Sequence, residues 1–162
     1  MELKDKMGIQ EIKDKLDICL KLLEENDSDY FKEKLKDTIN ERTITAKLSC
    51  YLQFMFKKWN VDCEYNRVGK GGEKKTENGT SIYPDIIIHE RGDPDKNLLA
   101  IEAKKSNRCS NDDKRRLKNL TKTKNKKSEE LKYQYGVFIL INPDSKDLKL
   151  FETTWYFEGE EK

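Results

Sequence analysis

A chain of 162 residues, 35% hydrophobic and 40% charged with a net charge of +2, suffices for one domain with a modest core. Its apolar residues fall in periodic segments, which excludes a disordered chain, and no run is long enough to span a bilayer. The lone His89 excludes a histidine-rich zinc site; Cys19, Cys50, Cys63 and Cys109, without Cys-x-x-Cys spacing or a secretory h-region, are expected as free thiols of a cytoplasmic protein.

From Gly8 to Glu25, Ile9, Ile12, Leu16, Cys19, Leu20 and Leu23 recur at helical spacing, so this segment is expected as an amphipathic helix that packs or pairs subunits. Asn26 to Asp29 breaks it, and a short helical piece is expected through Lys36. A second helix should run from Thr38 to about Trp59, with Ile44, Leu48, Tyr51 and Met55 as its buried stripe, broadened by Leu52, Phe56 and Trp59. Glu41 lies seven residues before Leu48 and projects in line with that stripe. Two roles compete for it: the far end of a Thr38-x-x-Glu41 capping box, or a carboxylate aimed across at the sheet.

Val61 to Arg67 has strand character. A glycine- and lysine-bearing loop follows, from Val68 to Ser81, whose glycines do not form a phosphate-cradling Gly-x-x-x-x-Gly-Lys-Ser/Thr loop. Lys70, Lys74 and Lys75 are candidate nucleic-acid contacts there, against a plain solvated loop. Next come two β-branched or apolar runs separated by Gly92, Asp93, Pro94 and Asp95, the pattern of a β-hairpin spanning Tyr83 to Lys105. If Glu90 and Asn97 close the turn, antiparallel register places Leu98 opposite His89 and Glu102 opposite Asp85. Opposed carboxylates repel, and Lys104 emerges on the same face as Glu102. A bound cation would make sense of this arrangement.

The spacing of an acid two residues before a lysine occurs nine times in the chain, and all three prolines precede an aspartate, so neither feature is informative alone. Asp85, Glu102 and Lys104 differ in context: they sit on Ile86-Ile87-Ile88 and Leu98-Leu99-Ala100-Ile101, where ionised groups are seldom buried unpaired. The plainer alternative is a hairpin whose acids reach solvent or nearby lysines.

Pro84-Asp85, sixteen intervening residues, then Glu102-Ala103-Lys104 resembles the Pro-Asp…Asp/Glu-x-Lys signature of the restriction-endonuclease-like nuclease superfamily. The likeness spans Thr38 to about Phe151. It implies an α/β fold with an αβββαβ core, a mixed central sheet flanked by helices, here with an extra N-terminal helix. It also implies hydrolysis of phosphodiester bonds, most naturally in DNA, with Mg²⁺ (or Mn²⁺) held by Asp85, Glu102 and the backbone carbonyl of Ala103. Glu41 would assist the metal, and Lys104 would act on the attacking water. Tyr83 and His89 are candidates for shaping the site; Lys105 points to the other face.

Between Lys104 and Lys132 twelve Lys and Arg face four Asp and Glu. Leu117 and Leu120 point to a packed helix over Asn111 to Thr121, while Thr121 to Ser128 is too polar to be buried. Lys114, Arg115, Lys122 and Lys124 are candidate phosphate contacts; a solvated charged face is the competing account. Gln134 to Ile141 is expected as a central strand, and Leu148 to Glu152 as the next. Trp155, Tyr156 and Phe157 would cover a sheet edge before an acidic tail. The chain thus divides into a helical extension (1–36), a core (38–152) and a tail (153–162) of a single domain. Nucleic acid is the expected partner, with a homodimer favoured if both strands of a duplex are cut. The alternative function is a non-catalytic module of the same fold that binds nucleic acid or a protein.

Overall fold

The computed structural model describes residues 7–32, 37–65, 67–68, 72–73, 82–106, 111–122, 132–143 and 149–162. Its fold class is α/β. A mixed six-stranded sheet has the order β1-β4-β5-β6-β7-β8, from β1 (Asn60–Cys63), β4 (Ile86–His89), β5 (Asn97–Lys105), β6 (Tyr135–Ile141), β7 (Phe151–Phe157) and β8 (Glu160–Glu161). Two short strands, β2 (Arg67–Val68) and β3 (Gly72–Glu73), pair separately. Among the described strands only β5 and β6 run parallel, and helix α3 (Asn111–Thr121) lies in the connection between them. Helices α1 (Ile9–Asn26) and α2 (Glu41–Met55) share one core with Ile86, Ile88, Leu99, Ile101, Val137 and Ile139. Alternation along the strands sends Ile87, Ala100 and Phe138 into a second core against Leu117 and Leu120 of α3. That helix sits close on the sheet. A Cβ at Gly136 of β6 would lie 3.2 Å from Thr121 Cγ2, so the absence of a side chain there sets the approach.

Helix α1 and helix α3 fall where apolar periodicity predicts them. Helix α2 starts later than expected: Asn40, not Thr38, is its N-cap, accepting 2.8 Å from the Thr43 N–H. Asn40 thus takes the capping role expected of Thr38, and the Glu41 carboxylate is turned away to the sheet. The helix ends at Met55 rather than near Trp59, with Trp59 N–H donating to the Phe56 carbonyl in a turn. The piece after α1 is a 3₁₀ turn over Ser28–Phe31, and the rest of the stretch expected to be helical, residues 33–36, lies outside the described residues. Strand β1 stops at Cys63 instead of reaching Arg67.

The hairpin register is the expected one for Ile86↔Ile101, Ile87↔Ala100 and Ile88↔Leu99. It then shifts, and His89 pairs with Asn97, so Leu98 is the extra residue of a β-bulge rather than the partner of His89. The bulge turns Leu98 and Leu99, consecutive in sequence, both into the α1/α2 core. Glu90 N–H closes the turn on the Lys96 carbonyl at 2.9 Å, with Gly92 at φ +83°.

The largest departure lies at the C-terminal end. Trp155, Tyr156 and Phe157 belong to β7, with Trp155 and Tyr156 buried, and β8 adds to it, so residues 153–157 and 160–161 are strand and not a tail. Among the described residues, no helix is long and apolar enough to cross a membrane, and Cys19, Cys50 and Cys63 are free thiols.

Candidate functional site

The first residues of β4 and the last of β5 carry the predicted acids. Carrying the Ile86↔Ile101 register one residue on sets Asp85 against Glu102. Asp85 Oδ2 accepts the Ala103 N–H at 2.8 Å, tying the acid to the neighbouring strand. Glu102, flanked by β4 and β6 and covered by α3, is fully buried (0% exposed). Its Oε2 accepts from Arg116 Nη2 at 3.3 Å, and its Oε1 has no hydrogen-bond partner among the described residues. A carboxylate oxygen in that position carries a desolvation cost that no hydrogen bond among the described residues offsets.

The electrostatics follow from this burial. Desolvation, reinforced by the charge of Asp85, pushes the Glu102 carboxyl up from 4.5 to about 8, against the opposing pull of Arg116. Burial likewise raises Asp85, opposed by the Ala103 hydrogen bond and by Lys104. The Lys104 ammonium is drawn down by burial but raised on balance by Asp85, Glu41, Asp113 and Glu102. Two acids held in the protonated direction beside each other are a site short of positive charge.

Glu41 does reach the sheet, from the first turn of α2. Its Oε2 lies 3.4 Å from Lys104 Nζ, and its Oε1 accepts the Lys105 N–H at 3.0 Å. The glutamate therefore engages the lysine end of β5, and both oxygens are occupied there. Among the described residues no three acid, histidine or cysteine side chains gather into a metal nest, so Glu41 does not complete one with Asp85 and Glu102. Lys105 turns to the α2 side, where its ammonium donates to the Ile39 carbonyl.

The remaining candidates divide. Lys114 of α3 has its Nζ 5.5 Å from the ring of Phe138, the residue that pairs with Glu102 in β6. Arg115 is exposed and bridges Asp112 at 3.0 Å. Lys122 sits at the other end of α3 against Gly159, away from the acids. Lys70, Lys74, Lys75 and Lys124 lie outside the described residues. Tyr83 is exposed two residues before Asp85. His89 stands about 13 Å along β4 from Asp85. There it meets Asp62 at 2.8 Å in a cluster with Arg91, whose hydrogen bonds hold Asp62 below the usual carboxylate range. Its place is in the hairpin turn and not beside the two acids.

Sequence reasoning missed Arg116 and Asp113. Asp113, Arg116, Leu117 and Leu120 share one helical stripe, so the spacing already put both charges on the buried face of α3. Comparison with family models, with curated proteins and with solved structures gave no match.

Proposed function

We propose that the protein is a metal-dependent nuclease with a restriction-endonuclease-like core that hydrolyses phosphodiester bonds, in DNA. The observation that carries this reading is the unpartnered Oε1 of a fully buried Glu102 beside Asp85 and Lys104. The order α2–β1–β4–β5–α3–β6, with β5 and β6 parallel, supports the core. Hard divalent cations favour oxygen donors of this type, and Asp85, Glu102 and the Ala103 carbonyl would hold one. When bound, Mg²⁺ would acidify a water and offset charge on the phosphoryl oxygens.

Lys104 orients the attacking water and stabilises the negative charge that grows on the phosphoryl group. Water oxygen bonds to phosphorus as the opposite P–O bond breaks; the water gives up one proton to solvent and the departing oxygen takes one up from solvent. Glu41 holds the Lys104 ammonium in place, and Lys114 and Arg115 meet the phosphate backbone as the salt-sensitive part of binding. Two copies would serve a cut through both strands.

Supercoiled, linear, single-stranded and branched DNA, and RNA, incubated with Mg²⁺, Mn²⁺ or EDTA, test the proposal. Cleavage of DNA that EDTA abolishes is expected, and Asp85→Ala, Glu102→Ala and Lys104→Ala should each lower it by at least about 10²-fold. Equal activity in the three variants and the parent removes the assignment. Binding without cleavage by the parent instead points to a non-catalytic module, a reading to which the lack of a three-acid group among the described residues contributes.

A further inference from the structure

Arg116 and Asp113 are charged residues that α3 turns toward Glu102. Asp113 is buried, and Arg116 donates to it and to Glu102 from the same guanidinium nitrogen. The Arg116 side chain is 41% exposed, whereas those of its two acceptors are 8% and 1% exposed, so the arginine enters from the helix surface and spans two buried carboxylates. An arginine placed for phosphate would leave its fork open to the cleft. Here Nη2 is committed inward, and Nε is buried without a partner among the described residues.

The consequence for Glu102 is geometric. Its carboxylate has two oxygens and a broad torsion about χ3, so burial alone does not say which oxygen faces the Asp85 side. The Arg116 contact removes that freedom. With Asp113 beside it, the guanidinium adds little net charge, so it orients the acid without strongly repelling a cation.

We propose that Arg116 is the positioning residue of the metal centre: anchored by Asp113, it fixes Oε2 of Glu102 and leaves Oε1 as the oxygen offered to a divalent cation. This inference rests on the metal-centre reading above. Partners that orient a ligand from behind typically govern metal affinity by about 10–100-fold.

Calorimetric titration with Mn²⁺, in the absence of nucleic acid, tests it on the full chain. Arg116→Ala is expected to weaken Mn²⁺ binding by about 10–100-fold, with Arg116→Lys recovering part of the loss and Asp113→Asn weakening it in the same direction. On a cleaved substrate, kcat should fall while KM for the nucleic acid holds. Asp113→Asn and Arg116→Lys carry the test if circular dichroism shows that Arg116→Ala does not fold. Mn²⁺ binding in the folded variants as tight as in the parent, or tighter, overturns the inference, as does a rise in KM alone, which would make Arg116 a phosphate contact. A parent that binds no Mn²⁺ overturns the metal centre itself, so the two failures are distinct.

Discussion

Glu102 joins complete burial to a carboxyl raised to about 8, and this makes its ionisation visible in stability. Between about pH 4.5 and 8 the folded chain keeps a proton that the unfolded chain has released, so stability without metal falls as pH rises through that window. Asp85, also raised, adds to the same slope. Thermal melts from pH 5 to pH 8 in EDTA should show a declining Tm, and Glu102→Gln should flatten most of the decline. An unchanged slope in that variant would mean that the acid reaches solvent. At this scale the site was partly legible. Asp85, Glu102 and Lys104 could be singled out because acids on runs of Ile and Leu conflict with their surroundings. Arg116 escaped because it sits among basic residues that all resemble a solvated face; only its spacing to Leu117 and Leu120 sets it apart.

The elements show what local signals decide and where they compete. Helices α1 and α3 were readable because one apolar stripe runs through each. At the start of α2, Thr38 and Asn40 both offer a cap, and the structure uses Asn40, whose side chain receives both the Thr43 N–H and its hydroxyl. Asn40→Ala should cost about 1 kcal/mol, a fall in Tm of roughly 2–4 °C for a domain of this size, read from thermal melts. Because Glu41 is the next residue, fraying there should also loosen its hold on Lys104 and Lys105. The hairpin register was readable through Ile88, since shifting it by one would turn three isoleucines inside out. The bulge was not, because it depends on how the Glu90–Lys96 turn closes.

Over the whole molecule, the sheet extends further along the chain than composition implied. Phe151 to Phe157 contains Thr153, Thr154, Trp155, Tyr156 and Phe157, all good strand formers, yet the charges of Glu158, Glu160 and Glu161 made the end resemble a tail. The strand pairs with β6 from Gly136↔Tyr156 to Ile141↔Phe151. Ending the chain after Glu152 would therefore strip β6 of a neighbour and expose Tyr133, Phe138 and Leu120 of the smaller core. Such a chain should fail to give a cooperative melt, whereas removal of residues 160–162 alone should preserve one; a folded, cooperative 1–152 fragment would refute this account.

The parallel pairing of β5 with β6 also bears on when the acids come together. A ribosome adds roughly 5–20 residues per second, so Glu102 emerges some seconds ahead of the strand that walls it in. Until then it is a water-exposed, ionised side chain, far from its eventual neighbours. A half-made polypeptide for that reason lacks the buried acid: the pair is enclosed only with the late strands, after translation has passed them.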